Sequence, residues 1–170
     1  MALIVQKYGG TSVGDVERIQ GVARRVARYK EAGHDVVVVV SAMSGETNRL
    51  MALGKQIGGD KPLPRELDVL LSSGEQVTIA LLSMALMQLG VSAKSLLGDQ
   101  VAVHTDSAFG KARIERSDTQ PLRADLDQGL VLVVAGFQGV NGDGDITTLG
   151  RGGSDTSACL LYTSDAADDE

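Results

Sequence analysis

Tryptophan is absent from this 170-residue chain, phenylalanine occurs twice and tyrosine three times. So few aromatics leave no basic, aromatic-laced surface on which bases could stack, and no nucleic-acid partner is expected. Cysteine is nearly missing as well: the single thiol, Cys159, falls in the segment 159–170. The remainder therefore has no disulfide, thiolate metal site or cysteine nucleophile. The two histidines, His34 and His104, stand far apart with no ligand spacing, so no side-chain metal site is expected. No run approaches the roughly 18 apolar residues that a membrane span needs. The opening Met1-Ala2-Leu3-Ile4-Val5 lacks the basic region and cleavage site of a signal peptide. A cytoplasmic protein without a membrane partner is the expectation.

Segment 159–170 does not match what precedes it. A helix begun near Ser154 should carry an apolar stripe, yet Thr163-Ser164-Asp165-Ala166-Ala167-Asp168-Asp169-Glu170 has no periodicity. It reads as a non-native tail, the translation of a sequencing-adaptor end joined to a truncated reading frame. A genuine acidic terminus is the alternative. The tail carries four acids and no base, so the charge falls from −6 for the whole chain to 16 − 18 = −2 without it. The acidity therefore says little about partners.

What remains alternates strand and helix. Residues 2–8 read as a strand. Residues 15–32 read as a helix with Val16, Ile19, Val22, Val26 and Tyr29 on one face and Gly33 as its stop. The β-branched run 35–41 suits a central parallel strand covered on both faces. Helices are predicted over 46–57, over 64–89 with a break at Ser72-Ser73-Gly74, and over 118–128. Further strands are predicted at 92–97, 102–105 and 130–135, and 106–116 is unassigned. The pattern predicts a single α/β domain, 1–158, with a mostly parallel sheet flanked by helices on both faces.

Two glycine-rich, charged loops follow strand-like runs. In the first, Lys7-Tyr8-Gly9-Gly10-Thr11-Ser12, a flexible ammonium sits beside amides without side-chain cover, which suits a phosphoryl group. A lysine capping a sheet edge over an ordinary glycine turn reads equally well for Lys-x-Gly-Gly alone. In the second, Arg151-Gly152-Gly153-Ser154-Asp155, the arginine fork matches a carboxylate and the glycines allow close backbone approach. An N-cap role for Ser154 or Asp155 is the plainer alternative. Ser41 to Thr47 follows the second strand, where open α/β sheets bind ligands. Glu75, read as lying in the first turn of a helix, could be a dipole partner only. Asn141-Gly142-Asp143-Gly144-Asp145 lacks the glycine and final glutamate of a calcium loop and is expected to be a hairpin turn. Gly110-Lys111 is followed by Ala112, so there is no P-loop.

Together, Lys-x-Gly-Gly-Thr-Ser, Ser-Ser-Gly-Glu, Ala-Gly-Phe-Gln-Gly and Arg-Gly-Gly-Ser-Asp resemble the amino-acid kinase family and, within it, the aspartate kinases, over residues 2–158. The resemblance implies a three-layer sandwich that transfers phosphate from ATP to the side-chain carboxylate of L-aspartate. That step opens lysine, threonine and methionine synthesis. It implies that Lys7 and Asp155 are catalytic, and that Lys7, Tyr8, Gly9, Gly10 and Ser41 meet the ATP phosphates. Thr47, Glu75, Arg151, Gly152, Gly153 and Ser154 are implied to hold the substrate, with Phe137 over it. Mg2+ is implied to ride on the phosphates with no metal ligand from the protein. Aspartate kinases continue beyond this motif into the adenine site and regulatory ACT domains, through which the parent is expected to oligomerise. The chain is thus read as an incomplete domain, expected to be inactive by itself. A sister kinase (acetylglutamate, glutamate 5- or uridylate kinase) and a non-catalytic amino-acid-binding module are the alternatives.

Overall fold

A computed structural model describes residues 1–150, 153, 155, 157 and 158. The predicted tail, 159–170, lies outside the described residues.

The valine run forms β2 (Asp35–Val40), parallel to β1 (Leu3–Tyr8) in the register Leu3↔Asp35 through Tyr8↔Val40. On its other side β2 pairs in parallel with β6 (Val131–Ala135), which in turn pairs with β3 (Ala93–Leu96). The order is β1-β2-β6-β3, and all four strands end at the same edge. Alternation divides the valines between two cores. Val36, Val38 and Val40 face Ile19, Val22 and Val26 of α1 (Val16–Glu31) and Ile79, Leu82 and Leu86 of α3 (Pro64–Gln88). Val37 and Val39 face Leu122 and Leu126 of α4 (Gln120–Asp127), with Val101 and Val103. Both faces are covered, as a parallel sheet requires.

Helix α1 starts where Asp15 accepts a hydrogen bond from Arg18 N at 2.8 Å, and the chain leaves it at Gly33 with φ of +91°. Val16 and Tyr29, expected on its buried face, are instead exposed; Ala23 and Ala27 take their place in the core. Small residues there let α1 lie close to the sheet.

The expected break at Ser72-Ser73-Gly74 does not exist. α3 runs unbroken from Pro64 to Gln88, and it accommodates the two serines by turning their hydroxyls back to the carbonyls of Val69 and Leu70, at 2.9 and 2.6 Å. Gly74 is required by crowding: a Cβ there would stand 2.9 Å from that of Ala42. By length and a mean hydropathy of 1.5, α3 is apolar enough to cross a membrane, contrary to the sequence expectation. Yet 50% of that stretch is buried inside the protein, where the helix also buries Asp68, Ser72, Glu75, Thr78 and Ser83. A core helix with built-in polar contacts passes the same test.

A second, mixed sheet was not anticipated. It has the order β5-β4-β7-β8, from β4 (Val103–Thr105), β5 (Ile114–Ser117), β7 (Gln138–Val140) and β8 (Ile146–Thr148). The 141–145 turn joins β7 and β8 antiparallel, with Asn141 Oδ1 accepting from the amides of Asp143 and Asp145 at 3.0 and 2.9 Å. It is a hairpin turn, as expected. Helix α2 (Glu46–Gly58) packs along α3.

Candidate active site

At the carboxyl ends of β1, β2 and β6 the loops diverge around a cleft of about 480 Å3. Among the described residues, the loops that follow these strands and β8, helices α2 and α3, and the helical Gly153 and Asp155 build it. The loop after β1 tightens into a 3-10 turn, Gly10–Val13, with Ser12 N donating to Gly9 O at 3.0 Å. Arg18 of α1 braces it from behind, its Nη1 donating to Thr11 O at 2.6 Å. The loop after β2 crosses so close that a Cβ on Gly10 would stand 2.9 Å from the Ala42 carbonyl oxygen, which only glycine permits. Gly45, at φ of +80°, then starts α2 and turns Thr47 and Asn48 to the cleft.

Lys7 and Asp155, about 150 residues apart in sequence, meet here, with Nζ 3.0 Å from Oδ1. Their side chains are 31% and 69% exposed. An ion pair this open contributes roughly 0–1 kcal/mol to stability. Its consequence is geometric: the ammonium is aimed into the cleft rather than along the sheet edge.

Glu75 enters from the middle of α3, not from a first turn, so a dipole role is excluded. It is 2% exposed; Oε1 accepts from Ala42 N at 3.2 Å, and Oε2 meets no partner among the described residues. Burial pushes its carboxyl up to about 7, against the pull of two backbone hydrogen bonds. Glu75 lines the cleft, and a carboxyl with a partnerless oxygen suits a cationic group.

Phe137 forms a further part of the cleft wall. It holds φ of +72°, a conformation L side chains rarely adopt, and its carbonyl accepts from Leu149 N at 2.8 Å. Gly153 abuts it: a Cβ there would lie 3.1 Å from Phe137 Cδ2. The chain is already helical at Gly153, and Ser157 Oγ donates to Gly153 O at 2.8 Å.

Of the residues singled out from sequence, Lys7, Gly10, Ser41, Thr47, Glu75, Gly153 and Asp155 line this one cleft. Gly9 stands behind Lys7, where a Cβ would come 3.5 Å from Nζ. The Tyr8 side chain does not line the cleft. Alternation along β1 turns its ring into the core under α1, where burial raises the phenol against the pull of Arg25. Its carbonyl is taken by Ser41 N at 3.1 Å. Arg151, Gly152 and Ser154 lie outside the described residues. Met43 and Ser44, inside the 41–47 stretch singled out from sequence, also line the cleft, and sequence reasoning passed over Asn48 just beyond it. It also passed over Asp68, whose signal was an acid inside the apolar run of 67–71.

A cleft at the carboxyl edge of an open α/β sheet, lined by a glycine turn, a cation and a buried acid, stands where folds of this class place their ligand sites. The family model described as "Amino acid kinase family" matches residues 2–163, and the chain belongs to that family. It is 64% identical over 169 residues to the aspartokinase of Pseudomonas aeruginosa, covering 99% of this chain and 41% of that protein. To the aspartokinase of Thermus thermophilus it is 54% identical over 161 residues, 95% of this chain and 40% of the other. The chain thus spans about two-fifths of the length of these curated relatives. Among solved structures, it resembles aspartate kinase from Synechocystis with a TM-score of 0.77 at 52% identity, covering 92% of this chain and 26% of that one. It also resembles E. coli aspartokinase III in complex with aspartate and ADP, with a TM-score of 0.81 at 26% identity, covering 95% and 46%.

Proposed function

We propose that this chain carries the phosphoryl-transfer cleft of an aspartate kinase, which uses ATP to phosphorylate the side-chain carboxylate of L-aspartate. The observation that carries the reading is one cleft lined by both the Lys7–Asp155 pair and Glu75, a buried acid whose Oε2 meets no partner among the described residues. One end suits a phosphoryl group and the other an ammonium. The names of the relatives, and the aspartate and ADP of the E. coli structure, support the same assignment.

In this reading the substrate ammonium lies against Glu75 Oε2 and supplies the counter-charge that the buried carboxyl lacks. Arg151, by the family resemblance, takes the α-carboxylate. The side-chain carboxylate then points toward the γ-phosphorus. One of its oxygens forms the new P–O bond while the bond to the β-phosphate bridging oxygen breaks, and ADP leaves with that electron pair. A carboxylate is ionised at pH 7, so no strong general base is needed. The work of the site is to position two anions and offset their repulsion. Lys7, held by Asp155, stands where charge gathers on the transferring group. The Ser41 and Thr47 hydroxyls, and the amides of the Gly10 turn, line the path between the ligands.

Mg2+ enters as part of the nucleotide substrate and neutralises its phosphate oxygens. Among the described residues no group of three or more His, Cys, Asp or Glu is gathered to hold a metal. Among the described residues the cleft's acids are Asp155, engaged with Lys7, and the buried Glu75.

The test is a substrate panel on the complete polypeptide that carries this sequence, with hydroxylamine present to trap the acyl phosphate as a hydroxamate. Aspartate should give hydroxamate in step with ADP, whereas N-acetylglutamate, glutamate and UMP should give no product. Turnover with one of those three and not with aspartate would replace the reading by a sister kinase.

A further inference from the structure

Asp68 lies on the same stripe of α3 as Ser72 and Glu75, four and seven residues away, and is 1% exposed. Its carboxylate accepts three hydrogen bonds: from Thr148 N at 2.8 Å, Thr148 Oγ1 at 2.8 Å and Gly110 N at 3.0 Å. One turn on, the Ser72 carbonyl accepts from Gln138 Nε2 at 3.2 Å. At the exposed end, Arg65 holds Asp145 Oδ1 through Nε and Nη2 at 3.0 and 2.7 Å. The β7–β8 hairpin is thereby fastened along α3 at its turn and on both strands, and Asp68 is the most deeply buried of these ties.

The placement matters because the hairpin is bracketed by cleft residues. Phe137 directly precedes β7; Leu149 follows β8 and leads to Gly150, Gly153 and Asp155. The two flanks are joined where Leu149 N donates to Phe137 O. Glu75 sits two turns along α3 from Asp68. Plain attachment of a hairpin to a helix needs no buried carboxylate, since apolar packing would do it at lower desolvation cost. Three directed acceptor bonds fix a register instead.

We infer that Asp68 is a positioning residue: by pinning β8 and Gly110 to α3, it sets the separation between Glu75 and the Phe137, Gly153 and Asp155 wall. This rests on the functional reading above, in which those two ends of the cleft hold the ammonium and the phosphoryl group.

The test compares Asp68→Asn, Thr148→Val and Thr148→Ser in the complete polypeptide, well below the lowest melting temperature. Kinetic constants are taken per folded molecule, and hydrogen exchange is followed over 146–153. Asparagine takes the charge out of all three bonds and, with its oxygen toward the two amides, makes the Thr148 hydroxyl reverse from donor to acceptor; valine deletes one bond in a near-isosteric side chain; serine keeps all three. Asp68→Asn should lower kcat/KM for aspartate by about tenfold or more, the scale of a lost bond to a charged acceptor. Thr148→Val should give a smaller loss, Thr148→Ser none, and exchange over 146–153 should quicken in the same order. If Asp68→Asn fails to fold, the contrast between Thr148→Val and Thr148→Ser decides. Unchanged constants per folded molecule with only a lower melting temperature would overturn the inference, as would equal impairment by valine and serine. If the unsubstituted protein phosphorylates no amino acid, the functional reading falls by itself. Exchange then judges the pinning alone: quickening supports it and unchanged protection overturns it.

Discussion

Replacing Glu75 by glutamine should make the protein more stable at alkaline pH while weakening its hold on aspartate. The carboxyl lies at 2% exposure with a titration point moved from an ordinary 4.5 to about 7, chiefly by burial. Between those values the folded state binds more protons than the unfolded one, so stability falls as pH rises and levels off above about 7. The displacement corresponds to roughly 3 kcal/mol between pH 4 and pH 8. Glutamine has no such dependence: its oxygen can still accept from Ala42 N, and its amide occupies the place of Oε2. Denaturant melts from pH 5 to pH 9 should therefore give nearly equal stabilities at the acid end and a gap opening in favour of the variant through pH 7. Aspartate affinity should fall by roughly 1–3 kcal/mol, the scale of a bond to a charged group, with ATP affinity little changed. In the unsubstituted protein aspartate should bind more tightly above pH 7 than below it. Parallel stability curves for the two proteins would refute the burial argument, and equal losses for both ligands would refute the substrate contact.

Three further outcomes are expected. Lys7→Ala should lower kcat by roughly 10²–10³-fold with little change in the KM for aspartate. Because its ion pair is exposed, stability should move by no more than about 1 kcal/mol; stopped kinetics with intact melts are the check. Gly10→Ala forces a Cβ to 2.9 Å from the Ala42 carbonyl oxygen, so the loops must part. A stability loss of roughly 1–3 kcal/mol with a raised KM for ATP should follow, read from melts and steady-state rates. Leu82→Ala empties a fully buried site between α3 and sheet. It should cost roughly 2–5 kcal/mol in denaturant titration while leaving activity per folded molecule unchanged.

Local chemistry made much of the fold legible. Five consecutive valines can only serve a strand covered on both faces, and Asp15 and Gly33 mark the ends of α1 by capping and left-handed backbone. The misread α3 shows where local chemistry stops. Ser72, Ser73 and Gly74 resemble a breaker with Glu75 opening a new helix, yet the meaning of these residues lies in partners distant in sequence: Ala42 against Gly74 and Glu75, Gln138 against the Ser72 carbonyl. Strand β5 was invisible for a similar reason. Ile114–Ser117 has little β character of its own and takes its form from pairing with β4. At the site, the strings around Lys7 and Asp155 pointed to the cleft, but strand alternation turned Tyr8 away from it, and only packing reveals the clamp at Asp68.

The most direct measurement labels the side-chain carboxylate of aspartate with oxygen-18 and follows phosphate by mass spectrometry. If that carboxylate attacks the γ-phosphorus, its oxygen becomes the bridge of the acyl phosphate. Hydroxylamine attack at the carbonyl then releases phosphate carrying one oxygen-18 atom. The complete polypeptide bearing this sequence should yield that labelled phosphate at a rate matching ADP, and its Lys7→Ala variant almost none. Unlabelled phosphate alone, or labelled phosphate formed equally fast without Lys7, would contradict the account.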